Sequence, residues 1–253
     1  MKQYNGEPYI VSFTSFGKRL ASVPKMLFSL SKQTYKNFHT IFTIGKDSEQ
    51  FITDELARFA RLNKIEINVV DHDLGPHTKY YYAMLKYGNH PVITVDDDRF
   101  YAVDTISRLV AKYESLSYKS VVSNCAIEMQ RDRAGRLLPY SFWISHRLGA
   151  GCRSNIAMAE GFAGVLYPAN CFSNLPNELP GMASCKYDDD VYLKTVEVRE
   201  HIPVTNTDYT FKYDDAIDID EAMRYNLHTN QNAGNVNRDN MCMKFANTLL
   251  QAW

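Results

Sequence analysis

Long apolar runs are missing from this sequence of 253 residues: none approaches the roughly 18 that a membrane-spanning helix needs. The opening MKQYNGEPYIVSF has no continuous apolar stretch and no small-residue cleavage site, so it is not expected to act as a secretion signal. An excess of positive charge is missing too. Lys and Arg number 28 against 29 Asp and Glu, a net charge of −1, which argues against a general nucleic-acid binder. The five cysteines (Cys125, Cys152, Cys171, Cys185 and Cys242) include no C-x-x-C pair. Neither a disulfide framework nor a zinc site is therefore expected, and a reducing, cytoplasmic compartment fits. Glycine (12) and proline (9) are scattered, with no linker tract and no internal repeat. One domain over 1–253 is expected, with unequal halves at 1–101 and 102–253. What the chain does have is 45% hydrophobic residues, enough for a globular core, and 17 tyrosines, whose rings suit polar ring-shaped ligands.

The first hundred residues alternate strand and helix patterns. Tyr9–Thr14 reads as a buried strand, followed by a helix with Ser22 as N-cap, Pro24 in its first turn and Val23, Met26, Leu27 and Leu30 at helical spacing. His39–Ile44 is a second strand. Residues 48–62 carry Ile52, Leu56 and Phe59 at helical spacing, and 65–70 alternate as a third strand. After the Gly75-Pro76 break, Lys79–Tyr87 reads as a helix with Tyr81, Met84 and Leu85 on one face. Pro91–Val95 is a fourth strand, and Asp104 precedes a helix with Ile106, Leu109, Val110 and Tyr113 on one side. Strands separated by helices of this length imply βαβ units and a mostly parallel sheet. Further on, Val121–Cys125, Tyr140–Ile144 and Phe162–Tyr167 read as strands, 188–200 as a helix and Asp239–Trp253 as a terminal amphipathic helix.

Asp96-Asp97-Asp98 directly follows the fourth strand. Ligands of open α/β sheets gather beyond the carboxyl ends of the strands. Carboxylates crowded there repel one another unless a cation joins them, and Mg2+ or Mn2+ bridging a diphosphate would do so. The plainer reading is a solvated acidic turn.

VITVDDD resembles the strand-plus-DxD signature of GT-A glycosyltransferases. IVSFTSFGKRL and the later VPKMLFSLSKQTYKNFHTIFTIG are similar to the start of family-2-like bacterial glycosyltransferases, where a helix with an S-L-x-x-Q-T-Y pattern follows the first strand. VVDHDLGPHTKYYYAM resembles the segment before the metal motif in a bacterial subgroup of these enzymes. The match spans residues 8–101 and, more loosely, 160–193. It implies a GT-A fold, Rossmann-like with a mostly parallel sheet flanked by helices, and a nucleotide-sugar donor, most readily a UDP-sugar. In that pattern Asp98 ligates Mn2+ or Mg2+ directly. Asp96 holds the ribose or the metal, and Asp97 belongs to the same donor-binding turn but is free to point away. The loop with Thr14, Ser15 and Arg19 would receive base and diphosphate, Arg19 pairing a phosphate through its donor fork. Asp73 would accept a base N–H or cap the Gly75-Pro76 turn. Lys79 would neutralise the leaving diphosphate or sit as an exposed helix lysine.

YDDDVYL is similar to the acidic motif heading a helix in inverting family-2 enzymes. One carboxylate would deprotonate the acceptor hydroxyl, Asp189 first and Asp188 next; the plain alternative is a heavily capped helix. Glu160-Gly-Phe-Ala-Gly-Val-Leu-Tyr-Pro168 resembles the segment shaping the donor-sugar and acceptor pocket, here with Gly161 and Gly164 rather than adjacent glycines. Trp143 would stack on an acceptor sugar or lie in the core. His228, in an Asn-rich tract over 226–240 that reads as a lid or a plain loop, would complete the metal site. His72 and His77 would line the pocket at most.

The reaction so implied is metal-dependent, inverting transfer to a hydroxyl of a glycan or lipid-linked acceptor in bacterial surface polysaccharide synthesis. A sugar-phosphate nucleotidyltransferase would need a richer glycine loop than SFTSFGKR provides; a non-catalytic carbohydrate-binding protein of the same fold is the other alternative. The terminal Met241–Trp253 segment would dock on its own domain, on a second subunit or peripherally at the inner face of a membrane. Oligomeric state is left open.

Overall fold

The computed structural model describes residues 7–224 and 235–253. Alternation along Tyr9–Thr14 (β1) sends Tyr9, Val11 and Phe13 into one core layer and Ile10 into another. The remaining strands of the first half are β2 (Phe38–Gly45), β3 (Glu66–Val70), β4 (Val92–Thr94) and β5 (Arg99–Tyr101). The second half adds β6 (Val121–Ser123), β7 (Ala126–Glu128), β8 (Arg153–Ser154), β9 (Ala157–Ala159), β10 (Val165–Tyr167), β11 (Val204–Asn206) and β12 (Ala216–Asp218). Eight of these form one sheet in the order β3-β2-β1-β4-β10-β6-β11-β8. β1, β2, β3 and β4 are parallel, as are β6 and β11, whereas β10 and β8 run against their neighbours. Both halves of the chain thus share one sheet, with β10 joining them. β12 pairs with β5, and β7 with β9, as two small antiparallel ribbons.

Helices cover both faces: α1 (Val23–Ser31), α2 (Asp54–Leu62), α3 (Thr78–Tyr87), α4 (Thr105–Ser115), α5 (Leu179–Ser184) and α6 (Asp189–Arg199), followed by the shorter α7 (Asp220–Met223), α8 (Val236–Lys244) and α9 (Ala246–Leu249). Helix α6 is buried on nearly every side, even at Lys194 and Glu197, because α5, α8 and α9 pack over it. No helix among the described residues is long and apolar enough to cross a membrane.

Several elements differ from the sequence reading. The span 48–62 divides into a 3-10 segment, Lys46–Phe51, and α2, because the Thr53 side chain accepts from Leu56 N and starts a new helix there. In α3, Leu85 faces solvent while Tyr80, Tyr81 and Ala83 are buried. Tyr140–Phe142 is one 3-10 turn and not part of a strand; Pro139 brings no N–H, and Trp143 N bonds back to Tyr140 O at 2.7 Å. The terminal helix starts at Val236 and breaks at Phe245. Ser22 and Asp104 hold N-cap positions, but Ser22 Oγ donates to Arg19 O and Asp104 pairs with Arg108 at 2.7 Å.

Candidate active site

The carboxyl ends of β1 and β4 lie side by side, which brings the loop after Thr14 against Asp96–Asp98. Arg19, 6% exposed, grips Asp97 with two donors, Nε to Oδ2 at 2.8 Å and Nη2 to Oδ1 at 2.6 Å, and reaches Asp98 Oδ2 at 2.8 Å. Burial works against the guanidinium charge, but Asp97 and Asp98 outweigh it and raise its pKa. Arg19 therefore braces the aspartate turn. Asp97 is buried and is the main partner of Arg19.

Lys79 enters from the first turn of α3. Its Nζ lies 2.8 Å from Asp96 Oδ1 and 2.7 Å from Asp189 Oδ2, so one buried ammonium joins the two acidic runs. Burial opposes that charge, but Asp189 and Asp96 hold its pKa well above the usual lysine value. It is thus no exposed helix lysine. Lys79 in turn pulls Asp96 down against the effect of burial. Asp98 moves the other way: burial raises its pKa, and Arg19 only partly compensates. Asp98 Oδ1 has no hydrogen-bond partner, since Arg99 Nε stays 3.5 Å away.

The second acidic run heads α6. Asp188 is its N-cap, Oδ1 accepting from Val191 N, while Oδ2 accepts from Arg238 Nε at 2.8 Å. Both its oxygens are thus engaged. Arg238 also donates to Asp190 Oδ2 at 3.4 Å. Burial, then the neighbouring Asp189 charge, raises Asp190 well above the ordinary carboxylate range, with Arg238 and Lys79 opposing. The Gly161 backbone packs against this pair: an added Cβ would lie 2.7 Å from Asp190 Oδ1 and 3.1 Å from Lys79 Nζ. Gly164 has φ +87°, a left-handed conformation in the turn before β10. Glu160, buried beside Gly161, accepts from Tyr140 Oη at 3.2 Å, and burial raises its pKa too, with Arg238 opposing.

Among the described residues seven carboxylates, Asp96–Asp98, Asp188–Asp190 and Glu160, thus share four buried or half-buried cations, Arg19, Lys79, Arg99 and Arg238. Glu160 and Arg238 were not singled out as site residues from the sequence, and Asp190 only as one member of the 188–190 run. Glu160 could have been found from its place before Gly161; Arg238 has no motif around it.

The other candidates divide. Ser15 Oγ is buried with no hydrogen-bond partner, whereas Thr14 Oγ1 donates to Thr43 O at 2.7 Å. Asp73 caps its turn, Oδ1 accepting from Gly75 N and Thr78 Oγ1. Trp143 is fully buried and its Nε1 donates to Leu138 O at 2.9 Å, so it belongs to the core and cannot stack on an acceptor. His77 is likewise a core residue, held between Tyr80 Oη and Cys185 O and kept neutral by burial, while His72 is exposed. His228 and most of the Asn-rich tract lie outside the described residues; 236–240 are helical. Among the described residues no three His, Cys, Asp or Glu side chains are gathered to enclose a metal ion.

No protein-family model matches the chain, and no curated protein does. Among solved structures, S. aureus TarS is 14% identical with a TM-score of 0.50, over 86% of this chain and 64% of TarS. TarS in complex with UDP-GlcNAc gives 12% identity and a TM-score of 0.50 over 79% of this chain and 56% of that one. A more partial likeness, to a mannosyltransferase of Pyrobaculum calidifontis in complex with GDP-Man and Mn2+, has a TM-score of 0.39 and 15% identity over 46% of this chain and 35% of that one. The chain therefore spans less than two thirds of the length of each of these proteins. At this identity the likeness concerns architecture: the mixed α/β fold, with its large, mostly parallel central sheet flanked by helices, is that of GT-A-type glycosyltransferases.

Proposed function

We propose that the chain is a metal-dependent glycosyltransferase. It would move a sugar from a nucleoside-diphosphate donor, a UDP-sugar first among them, to a hydroxyl of a glycan or lipid-linked acceptor, with inversion at C1. The observation that carries this reading is Lys79, whose ammonium touches both Asp96 and Asp189 at the carboxyl edge of the sheet. A donor motif and an acceptor-activating motif thereby meet around one positive charge. The UDP-GlcNAc bound to TarS, a protein of the same fold, accords with the choice of donor.

Asp96 and Asp98 suit Mn2+ or Mg2+, since both offer hard oxygen donors and Asp98 Oδ1 is buried without a hydrogen bond. The surplus of carboxylates over cations favours a further positive charge in the same way. Such an ion, completed by diphosphate oxygens, would supply charge stabilisation to the departing nucleotide. Arg19 keeps the aspartate turn rigid. Ser15 Oγ is available to a donor oxygen. Lys79 holds negative charge on the leaving diphosphate as the C1–O bond to phosphate breaks and its electron pair moves to oxygen.

Asp190 is the better base. Asp188 is spent as a cap and Asp189 is tied to Lys79, while Asp190 carries only the longer 3.4 Å contact from Arg238, and burial raises its pKa, the direction that favours taking the acceptor proton as the new C1–O bond forms. Arg238 orients it. The pathway, bacterial surface polysaccharide synthesis, and a cytoplasmic setting remain part of this reading.

The test is a thermal-shift series with UDP, GDP, CDP and dTDP, each with and without Mn2+. UDP should raise the melting temperature, and only with the metal present, by mass action. No shift with any of the four would overturn the proposal.

A further inference from the structure

Residues 129–147 leave the sheet as a single lobe. Its neck is the pairing of Ile127 with Arg147, and its stem is a hairpin in which Gln130 O accepts from Leu138 N and Arg131 bridges Leu137. The lobe carries four arginines, Arg131, Arg133, Arg136 and Arg147, against one aspartate, Asp132, in a chain whose net charge is −1. Asp132 is taken by Arg136 at 2.8 Å. Arg131, Arg133 and Arg147 are exposed and form no ion pair with a carboxylate among the described residues. Arg131 and Arg147 stand instead over the rings of Trp253 and Tyr213, at 5.0 and 5.1 Å.

Apolar side chains stand among these charges. Phe142 is 58% exposed and Ile144 40%. Helix α8 packs beside them, Asp239 accepting from Ser141 N at 2.9 Å, and exposes Val236 and Met243, which flank Asp239 at helical spacing. The opposite side of this terminal segment is satisfied within the protein: Cys242 and Leu249 are buried in the core with α6. One face of the segment is therefore docked, and the other leaves Val236, Met243 and Trp253 exposed, as Phe142 and Ile144 are on the neighbouring lobe, with Arg131 over the Trp253 ring.

Exposed patches of this composition mark contact surfaces. An aromatic and aliphatic patch edged by unpaired arginines is complementary to a bilayer surface: the apolar groups enter the headgroup boundary and the guanidiniums meet anionic lipid. We propose that this lobe and the outer face of α8 and the terminal residues dock the protein onto an anionic lipid surface. The lobe is also a wall of the site, since Tyr140 at its base donates to Glu160 and packs under Arg238. Docking would hold the acidic centre next to the bilayer, which suits a lipid-linked acceptor; that consequence rests on the proposed reaction, whereas the docking itself does not.

The experiment is flotation of the full chain with vesicles of phosphatidylcholine alone and with vesicles that also carry phosphatidylglycerol. Binding is expected only to the second kind, weakening as salt rises. Arg131→Glu with Arg133→Glu should lower it by at least about 25-fold, on the order of fivefold per arginine, and Phe142→Ser should lower it further. Circular dichroism would show that both variants remain folded. Equal binding to both vesicles, no binding to either, or variants that bind like the parent would overturn the proposal. So would retention on a soluble polyanion such as polyphosphate without vesicle binding, which would reassign the patch to a charged glycan. The assay needs no donor and no turnover, so its failure is separable from failure of the nucleotide series above.

Discussion

Asp188 and Arg238 meet at 2.8 Å across 50 positions of sequence, and through this contact the C-terminal helix α8 holds the N-terminus of α6 in place. Arg238→Ala would leave Asp188 and Asp190 buried without their nearest cation. Breaking one partner of a buried pair should cost about 3 kcal/mol or more at pH 7. The loss should shrink at pH 5, because both carboxyls already have raised pKa values and would take up protons once the guanidinium is gone. Urea unfolding at the two pH values measures both effects; an equal loss at each would contradict this account.

Asp98→Asn should separate function from stability. The substitution removes a buried carboxylate whose pKa is raised and whose Oδ1 lacks a hydrogen bond, while Arg19 keeps both its bonds to Asp97. The melting temperature of the variant alone should stay at or above that of the parent. The metal-dependent shift with UDP should vanish. A calorimetric scan with and without nucleotide and Mn2+ reads both quantities.

Gly161→Ala places a methyl 2.7 Å from Asp190 Oδ1. Arg238 limits how far that carboxylate can retreat. Sugar transfer should fall by roughly 100-fold, the scale of an ångström misplacement at a reacting centre, with a stability loss of about 1 kcal/mol. Single-turnover kinetics set against urea unfolding would expose the contrary case, a large stability loss with transfer intact.

Glu197 supplies a pH dependence far from the acidic centre. Burial raises its pKa from 4.5 to about 7, with Lys194 as the opposing charge. The unfolded carboxyl releases its proton near 4.5, whereas the folded one keeps it to about pH 7. Between those values the folded state binds more protons, so stability falls as pH rises, by on the order of 3 kcal/mol from this group. Glu197→Gln should flatten that slope in urea titrations from pH 4.5 to 8. An unchanged slope would assign the dependence to Asp98, Glu160, Asp188 and Asp190, whose pKa values burial raises in the same direction.

Local chemistry made much of the framework legible. Alternation in Tyr9–Thr14, the apolar run ending in Asp96–Asp98 and the spacing of Ile106, Leu109, Val110 and Tyr113 each describe one segment, and each segment formed as its pattern implied. The acidic start of α6 was legible for the same reason, since Asp188 caps the helix it precedes. Tyr140–Ile144 misled because its apolar composition suits a strand, whereas Pro139 and the bond from Trp143 N close it into a turn. Trp143 shows the limit of residue type as evidence: the ring fits a sugar face equally well, and only its complete burial assigned it to the core.

The sequence by itself determined β1–β4, β6 and β10, most of the helices and the two aspartate runs, because hydrophobic period and capping act over a few neighbouring residues. Only the tertiary structure decided which cation answers which carboxylate. Arg19 meets Asp97 across 78 positions and Arg238 meets Asp188 across 50. Such pairings follow from which loops fold over the same sheet edge, and from the cost of burying charge without a partner, neither of which leaves a periodic trace in the chain.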